Sequence, residues 1–334
     1  MENFWKNKNV FITGANGFLG SHLTSLLIRR GARPVVLIYE DNPGGIFEER
    51  DLGSKTTVVE GDVRNLPLLE DIIKKFKIEI IFHLAAQAIV DQALDDPLAT
   101  FEANIQGTWN ILEAAKESGS VKKVIVASSD KAYGQHDTLP YTEDVHHLQG
   151  AYPYEVSKVC ADLITQSFYK TFKVPVCITR CANLYGPGDL KLTRLVPRTI
   201  YQLHHDKPPV IRDRKTSVRD YLHISDAAEA YRLLAERMDE RVFGEAFNFS
   251  TNTPLSVVEV IAAISRAMKK DIEPVVVKTH GLEIPHQYAS YDKAKRLLGW
   301  EPRFTFAEGL KDTIPWYVDH FEHVKTRGEL VLSR

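Results

Sequence analysis

The sequence contains little cysteine and no long apolar segment. Its 334 residues include three cysteines, Cys160, Cys177 and Cys181. An odd number of cysteines without C-x-x-C spacing argues against a disulfide framework and a zinc site, so we expect core thiols and a reducing, cytoplasmic location. No apolar run approaches the length that crosses a membrane, and the first residues lack the basic-then-apolar pattern of a signal peptide. We therefore expect neither a membrane partner nor a structural metal.

The sequence also lacks an excess of either charge. Lys and Arg number 42 and Asp and Glu 44, which gives a formal net charge of -2. This balance provides no electrostatic attraction to nucleic acid or to an anionic membrane. A hydrophobic content of 44% and a charged content of 26% are ordinary for a soluble globular protein. The length allows a sizeable core in one or two domains.

Short apolar segments alternate with longer amphipathic ones through the first half of the chain. Strands are predicted at 9–13, 34–39, 56–60, 78–82, 121–127 and 175–180. Helices are predicted at 21–30, 68–77, 97–117, 153–172, 226–238 and within 254–270. This alternation predicts an α/β fold with a doubly wound parallel sheet, the Rossmann architecture. We expect residues 1–183 to form that part, with about 220–245 returning to it, and 184–334 to form a smaller, discontinuous C-terminal lobe.

A glycine-rich turn connects the first predicted strand to the first predicted helix. Small residues at such a turn let the backbone approach a pyrophosphate, which the helix N-terminus stabilises. We therefore predict a dinucleotide site in the first part of the chain, with an ordinary glycine turn as the alternative. The turn has G-x-x-G-x-x-G spacing and reads Gly14-Ala-Asn16-Gly17-Phe18-Leu19-Gly20.

Acidic residues follow the next two predicted strands. Glu40 and Asp41 stand where dinucleotide-binding folds place an acid that binds the ribose, and no arginine stands there to accept a 2′-phosphate. We therefore favour NAD over NADP, although a solvated acidic loop is nearly as good an interpretation. Asp62, before Val63, could receive the adenine amino group. A helix N-cap explains Asp62 equally well.

The fourth predicted strand ends in a segment with small side chains. It reads His83-Leu84-Ala85-Ala86-Gln87. The two alanines would let a cofactor ribose approach closely. We interpret His83 itself as a core histidine.

Two pairs of acid/base side chains stand out. Tyr154 and Lys158 are four residues apart on a predicted helix, so they share a face. An ammonium group beside a phenol favours the phenolate, and we expect Tyr154 to have a lowered pKa. Asp130 and Lys131 follow Ser129 at the end of the fifth predicted strand, where a parallel strand delivers them to the carboxyl edge of the sheet. Hydride transfer needs only the first pair, so the second indicates another acid/base step, unless it is a solvated turn.

These motifs together resemble the extended short-chain dehydrogenase/reductases. Over essentially its whole length the chain is similar to the nucleotide-sugar 4,6-dehydratases and 4-epimerases. The segment Ser129-Asp130-Lys131 resembles the CDP-glucose 4,6-dehydratase group, in which lysine stands where the dTDP-glucose enzymes have glutamate. The resemblance is carried by the glycine-rich turn, Asp62-Val63, His83-Leu-Ala-Ala, Asn104 before Gly107-Thr108, and Tyr154-x-x-x-Lys158.

The resemblance implies a role for each acid/base residue. Tyr154 would take the C4 hydroxyl proton, and Lys158 would lower its pKa and hold the nicotinamide ribose. Ser129 would hydrogen-bond the C4 oxygen, Asp130 would protonate the departing C6 hydroxyl, and a neutral Lys131 would remove the C5 proton. The implied NAD contacts are Gly14, Asn16, Gly17, Phe18, Leu19, Gly20, Glu40, Asp62, Val63, Leu84, Ala85, Ala86, Gln87, Asn104, Tyr154 and Lys158.

The resemblance also implies a nucleotide-diphosphate sugar as substrate. Asn183 follows the sixth strand, where the family reads a sugar-linked phosphate, and Arg219 resembles the arginine that binds the diphosphate. We interpret Arg212 and Arg214, in the same basic segment, as solvated. The implied substrate contacts are Gln87, Ser129, Asn183, Arg194, Arg219 and His286.

The two pairs separate the candidate functions. A 4-epimerase oxidises C4 and returns the hydride there, whereas a 4,6-dehydratase also removes the C5 proton and expels the C6 hydroxyl. We expect an NAD-dependent lyase whose preferred substrate is CDP-glucose. GDP-, UDP- and dTDP-sugars remain alternative substrates. A 4-epimerase is the alternative, and a non-catalytic NAD-binding scaffold is a remote one. Family members commonly dimerise through helices equivalent to 97–117 and 153–172, so we expect a homodimer.

Overall fold

The strands of the protein are short and mostly parallel. The computed structural model describes residues 4–212, 217–277 and 284–327. Within these residues the strands are β1 Asn9–Thr13, β2 Arg33–Ile38, β3 Thr57–Glu60, β4 Ile80–His83, β5 Lys123–Ala127, β6 Val176–Cys181, β7 Asn183–Tyr185, β8 Val210–Arg212, β9 Val218–Arg219, β10 Tyr221–His223, β11 Ala246–Phe249, β12 Leu255–Ser256, β13 Val275–Val277 and β14 His286–Gln287.

Most of the helices are longer than the strands. The helices are α1 Phe18–Arg29, α2 Ile46–Glu49, α3 Leu66–Lys75, α4 Val90–Asp95, α5 Pro97–Phe101, α6 Gly107–Glu117, α7 Pro153–Phe172, α8 Leu195–His204, α9 Ile224–Arg237, α10 Val257–Met268, α11 Asp292–Leu298 and α12 Phe306–Arg327. In the described residues, no helix is both long enough and apolar enough to span a membrane.

Seven parallel strands form the main sheet. Their order is β11-β6-β5-β4-β1-β2-β3, which confirms the predicted doubly wound α/β architecture. The strand order reverses between β1 and β4, whose last residues, Thr13 and His83, are paired. Ligands of such sheets bind in the crevice outside the carboxyl ends at this point. The glycine-rich turn, the segment after β4 and the segment after β5 all begin at that edge.

Apolar residues cover both faces of the sheet. On one face α1 and α9 pack over the strands through side chains such as Leu27 and Leu234. On the other face α3 and α6 do so through Ile72 and Ile111. All residues of β4 and β6 are buried, as expected for central strands covered on both sides. Cys177 and Cys181 lie in this core, whereas Cys160 is only partly buried, and all three are free thiols.

Among the differences from the prediction, two concern the main sheet and the helices beside it. Strand β11 was not predicted, because its four residues include Asn248 and give too short an apolar signal. The predicted helix 97–117 is divided by a π-helical segment at Glu102–Gln106. A third apolar cluster, which includes Val196, Ile264 and Leu310, joins α8, α10 and α12 in the C-terminal part.

Candidate active site

The glycine-rich turn follows β1 and leads into α1. Gly14 has a φ of +67°, and a Cβ there would lie 2.8 Å from the backbone nitrogen of Ala85. A Cβ on Gly20 would overlap the carbonyl oxygen of Gly14. Gly17 is the N-cap residue of α1, so no side chain caps this helix. The backbone therefore forms a tight cradle at a helix N-terminus, next to the other predicted contacts Asn16, Phe18 and Leu19.

Thr13 connects the end of β1 to the segment after β4. Its hydroxyl accepts hydrogen bonds from the N–H groups of Leu84 at 3.2 Å and Ala85 at 3.1 Å, and lies 2.9 Å from Nδ1 of His83. His83 is 2% exposed, and burial lowers its pKa to about 3. The interpretation of His83 as a core histidine is confirmed. The small side chains of Ala85 and Ala86 thus lie beside the glycine-rich turn.

The two predicted acidic contacts follow β2 and β3. The backbone carbonyl of Glu40 accepts from Nδ2 of Asn16 at 2.6 Å, so the exposed Glu40 stands next to the cradle. Asp62 accepts from the N–H and the Nε of Arg64, both at 2.8 Å. Burial raises the pKa of Asp62, but the hydrogen bonds from Arg64 outweigh burial and the net shift is downward. Because Asn65 caps α3 instead, the alternative that Asp62 is the helix N-cap is wrong.

Asn104 and Gln87 hold the segment after β4 against α7. Asn104 accepts from the N–H of Gln87 at 2.8 Å and donates to the carbonyl of Gln87 at 3.0 Å and to Oγ of Ser157 at 2.9 Å. The amide nitrogen of Gln87 donates to the carbonyl of Ile89 at 2.9 Å and to Oγ1 of Thr100 at 3.2 Å. Both side chains shape the cofactor edge through these bonds. Their direct contact with a ligand stays a prediction.

The carboxyl end of β5 and the first turns of α7 bring the predicted catalytic residues together. The hydroxyl of Ser129 lies close enough to the phenol of Tyr154 to lower the pKa of that phenol. Nζ of Lys158 donates to the carbonyl of Ala127 at 2.9 Å and lies 6.0 Å from the ring centroid of Tyr154. Tyr154 is 8% and Lys158 is 5% exposed. The Ser, Tyr and Lys side chains therefore form one buried site.

Burial dominates the ionisation of this site. It raises the pKa of Tyr154 to about 12 and lowers the pKa of Lys158 to about 8. The prediction that the pKa of Tyr154 is lowered is therefore wrong, because burial raises it. The guanidinium of Arg194 and the hydroxyl of Ser129 do lower it, but burial outweighs both. The cation that acts most strongly on the phenol is Arg194, not the neighbouring lysine.

Asp130 and Lys131 lie on a 3-10 turn that Ser129 caps. Asp130 is 2% exposed; its Oδ1 accepts from Oγ of Ser129 at 3.2 Å, and its Oδ2 is buried without a hydrogen-bond partner. Burial raises the pKa of Asp130, and the charges of Lys131 and Arg219 oppose that shift without cancelling it. Nζ of Lys131 donates to Oε1 of Gln287 at 3.1 Å. A buried carboxyl group with a raised pKa thus stands next to an amine.

Two arginines predicted to contact substrate lie close to the catalytic residues. Arg219 is 8% exposed, donates to the carbonyl of Pro285 at 3.1 Å and is near enough to act on the pKa of Asp130. Arg194 forms an ion pair with Asp189 at 3.1 Å and acts on the catalytic phenol. Both guanidinium groups therefore face the same crevice from the C-terminal part.

The remaining predicted substrate residues are Asn183 and His286. Asn183 begins β7, next to β10. His286 is exposed on β14 and lines a cavity of about 640 Å³, and the lining contains none of the catalytic residues. The next residue, Gln287, is fully buried and contacts Lys131. His286 thus lies beside the catalytic crevice, and Arg214 lies outside the described residues.

A buried ion pair that the sequence analysis did not single out supports the dyad. Arg180 donates through Nε and Nη2 to Asp162 at 2.8 and 3.1 Å, and through Nη1 to the phenol of Tyr133 at 2.8 Å. Arg180 is 4% and Asp162 is 0% exposed. Tyr133 ends the turn that carries Asp130 and Lys131. The sequence did contain a signal for this pair, since Arg180 lies inside an apolar strand. A buried charge needs a partner of opposite charge.

Glu155, which the sequence analysis did not assign to the site, fixes the start of α7. It is 8% exposed, and its carboxylate accepts from the N–H groups of Ala151 at 2.9 Å and Tyr152 at 3.4 Å. These bonds satisfy N–H groups at a helix start. Glu155 therefore positions the helix turn that carries Tyr154.

The arrangement fits a dinucleotide. The glycine cradle leaves no room for a Cβ, and its backbone and the uncapped start of α1 suit a pyrophosphate. The buried Tyr154 and Lys158 lie at the same edge of the sheet, where the other end of such a ligand would reach. Among the described residues, no group of three or more His, Cys, Asp or Glu side chains is arranged to hold a metal.

A doubly wound sheet with this cradle and a Ser, Tyr and Lys site defines a short-chain dehydrogenase/reductase of the extended type. The family model described as "GDP-mannose 4,6 dehydratase" matches residues 11–313, and the chain belongs to this family. The 4,6-dehydratases among its relatives are NAD-dependent hydro-lyases, and this chain is an enzyme of that kind.

Named relatives include both dehydratases and epimerases. A CDP-glucose 4,6-dehydratase from Salmonella typhimurium is 31% identical over 335 residues, covering 95% of this chain and 92% of the relative. The structure of a dTDP-glucose 4,6-dehydratase from Bacillus anthracis in complex with NAD has a TM-score of 0.84 at 27% identity, covering 94% and 98% of the two chains. A UDP-glucose 4-epimerase from Thermotoga maritima with UDP-glucose has a TM-score of 0.86 at 27% identity, covering 94% and 99%.

Proposed function

We propose that this chain is an NAD-dependent 4,6-dehydratase that converts CDP-glucose to CDP-4-dehydro-6-deoxyglucose. The observation that carries the proposal is the state of Asp130. Its carboxyl is buried and has one oxygen without a partner, and burial raises its pKa. Expulsion of a hydroxyl as water needs such an acid. A 4-epimerase has no step that uses it.

Each catalytic residue has one task in the proposed reaction. Tyr154 takes the proton of the C4 hydroxyl, and Ser129 holds the C4 oxygen by a hydrogen bond. Lys131 removes the C5 proton, which the C4 ketone has acidified. Asp130 donates its proton to the C6 hydroxyl, which leaves as water. The glycine cradle and Lys158 would hold NAD, which would supply the hydride acceptor for C4 and the hydride donor for C6, and Lys131 would then return its proton to C5.

The choice of CDP-glucose rests on the lysine of the dyad and on the Salmonella relative. That relative is named for CDP-glucose. The substrate would lie in the crevice between the sheet edge and the C-terminal lobe, residues 184–334, with Arg219 and Arg194 facing its diphosphate. A panel of CDP-, dTDP-, UDP- and GDP-glucose, compared by kcat/KM, tests the choice. Preference for another nucleobase would reject CDP-glucose and leave the dehydratase reaction standing.

The dyad variants Asp130→Asn and Lys131→Ala test the reaction itself. Asp130→Asn keeps the shape of the side chain and removes the acid, so we expect dehydration to fall at least about 100-fold, since one positioned acid or base contributes about that much. C4 oxidation by Tyr154 should remain, and reduced nicotinamide absorbance should accumulate. Mass spectrometry of the product measures the loss of water.

The same measurement distinguishes the alternative function. If the wild-type enzyme gives a product of unchanged mass with C4 inverted, the protein is a 4-epimerase. If both dyad variants dehydrate at the wild-type rate, the roles assigned to Asp130 and Lys131 are wrong even though the product is the predicted one.

We also propose that the enzyme is a cytoplasmic homodimer that pairs α5, α6 and α7 with their counterparts in a second copy. Exposed apolar side chains support this surface: Leu98 is 71%, Trp109 43% and Leu163 53% exposed. Burial of such a patch favours association. Sedimentation velocity should give the mass of two chains for the wild type and of one chain for Leu98→Asp/Leu163→Asp. A monomeric wild type would reject the dimer.

A further inference from the structure

We propose that Gln287 is a positioning residue that holds the Lys131 amine in place while that amine gains and loses a proton. The inference rests on the proposed function, because it takes Lys131 as the group that removes the C5 proton. Nothing in the resemblance assigned a role to Gln287; the residue predicted at this point of the chain was its neighbour His286.

The position of Gln287 is fixed by strand pairing. It lies on β14, directly opposite Arg219 of β9. It is 0% exposed, and its Oε1 accepts from Nζ of Lys131 at 3.1 Å. Strand β14 therefore brings a neutral amide to the dyad from the C-terminal part of the chain, 156 residues away in sequence.

The second observation is the other half of the same amide. Nε2 of Gln287 is buried and has no hydrogen-bond partner. Buried donors are rarely left unpaired, so each such group calls for an explanation. Nε2 makes no hydrogen bond, so a half-turn of the amide breaks only the hydrogen bond between Oε1 and Lys131.

An amide that is free to rotate suits a base that changes its protonation state. The oxygen accepts from the ammonium form, and the nitrogen donates to the lone pair of the neutral amine. A carboxylate at the same place would bind only the ammonium form strongly and would keep the proton on Lys131. Other charged groups near this amine include Asp130 on its own turn and Arg219 on β9, and both are retained in the variants below.

The test compares Gln287→Glu, which keeps an acceptor and adds charge, with Gln287→Met, which keeps the length and removes both hydrogen-bonding atoms. We expect KM to stay within about twofold and kcat to fall roughly 10-fold in each, less than the loss of a whole acid/base group. The kinetic isotope effect with C5-deuterated substrate should rise, and single-turnover C4 oxidation should keep its rate. Gln202→Glu is the matched control, since its amide oxygen accepts from the N–H of Val210 far from the dyad.

A second measurement does not require turnover. The rate at which an acylating reagent modifies Lys131, followed by peptide mass spectrometry, should fall in Gln287→Glu, because the ammonium form does not react, and should not fall in Gln202→Glu. An unchanged kcat, isotope effect and labelling rate would overturn the role of Gln287. If the wild type fails to dehydrate any sugar nucleotide, the proposed function fails, and the labelling result alone then decides whether Gln287 controls the amine.

Discussion

Replacing Tyr154 by phenylalanine should abolish C4 oxidation while leaving the fold intact. The change removes one hydroxyl and keeps the buried aromatic ring, so we expect the free energy of unfolding to change by about 1 kcal/mol or less. In the proposed reaction the same hydroxyl takes the substrate proton, so we expect kcat to fall about 10³- to 10⁴-fold. Formation of reduced nicotinamide in a single turnover measures the step directly. KM should change little, because the aromatic ring still fills its place.

The matched control for this variant is Tyr185→Phe. Tyr185 is a buried phenol of the C-terminal part, and its hydroxyl donates to the carbonyl of Phe306 at 3.2 Å. The chemical change is identical, yet no reacting atom is near. Tyr185→Phe should retain wild-type kcat. If Tyr154→Phe retained it too, the phenol would not be the base, and the reaction would need a different proton acceptor.

The raised pKa of Tyr154 opposes the role of its phenol as a base in the proposed reaction. Tyr154 alone has a pKa of about 12 because it is buried, so its phenolate is rare at neutral pH. Arg194 already lowers this pKa without offsetting burial, so proton abstraction at neutral pH requires further stabilisation of the phenolate. This arrangement links proton abstraction to the same guanidinium that we place against the substrate diphosphate.

Much of the catalytic edge could be predicted from the sequence, because its signals are local. The glycine spacing between Gly14 and Gly20, and the four-residue spacing of Tyr154 and Lys158, each depend on one strand–turn–helix unit. Parallel strands then bring the ends of β1, β4 and β5 to the same edge. For these residues, the order of elements along the chain was enough to place them together.

The contacts that the sequence did not reveal come from distant segments. Gln287 reaches Lys131 across 156 positions, and only the pairing of β14 with β9 determines which of two neighbouring side chains faces the dyad. Arg194 acts on the pKa of Tyr154 because this N-cap residue of α8 lies near the phenol. Local spacing contains no information about such pairs. The direction of the Tyr154 pKa shift was predicted wrongly for a similar reason, because the burial of a side chain depends on the whole fold.

The ion pair of Arg180 with Asp162 should be the most costly single contact to break. Arg180→Leu leaves the Asp162 carboxylate, 0% exposed, without its cation, and we expect the free energy of unfolding to fall by about 3–5 kcal/mol. The variant also removes the bond to Tyr133, so the turn that carries Asp130 and Lys131 loses its support and dehydration should weaken. Urea unfolding measures the first effect, and the product assay measures the second.

Two further variants separate the buried charge from the general loss of an arginine. Replacing both partners, as Asp162→Leu/Arg180→Met, should restore most of the stability, because no unpaired charge is then buried. Arg241 pairs with Asp239 on the surface, where it is 85% exposed, so Arg241→Leu should leave the urea midpoint unchanged. The double variant should nevertheless remain impaired in dehydration, since Tyr133 still lacks the hydrogen bond from Arg180. Full activity in a stable double variant would show that the dyad turn does not depend on this pair.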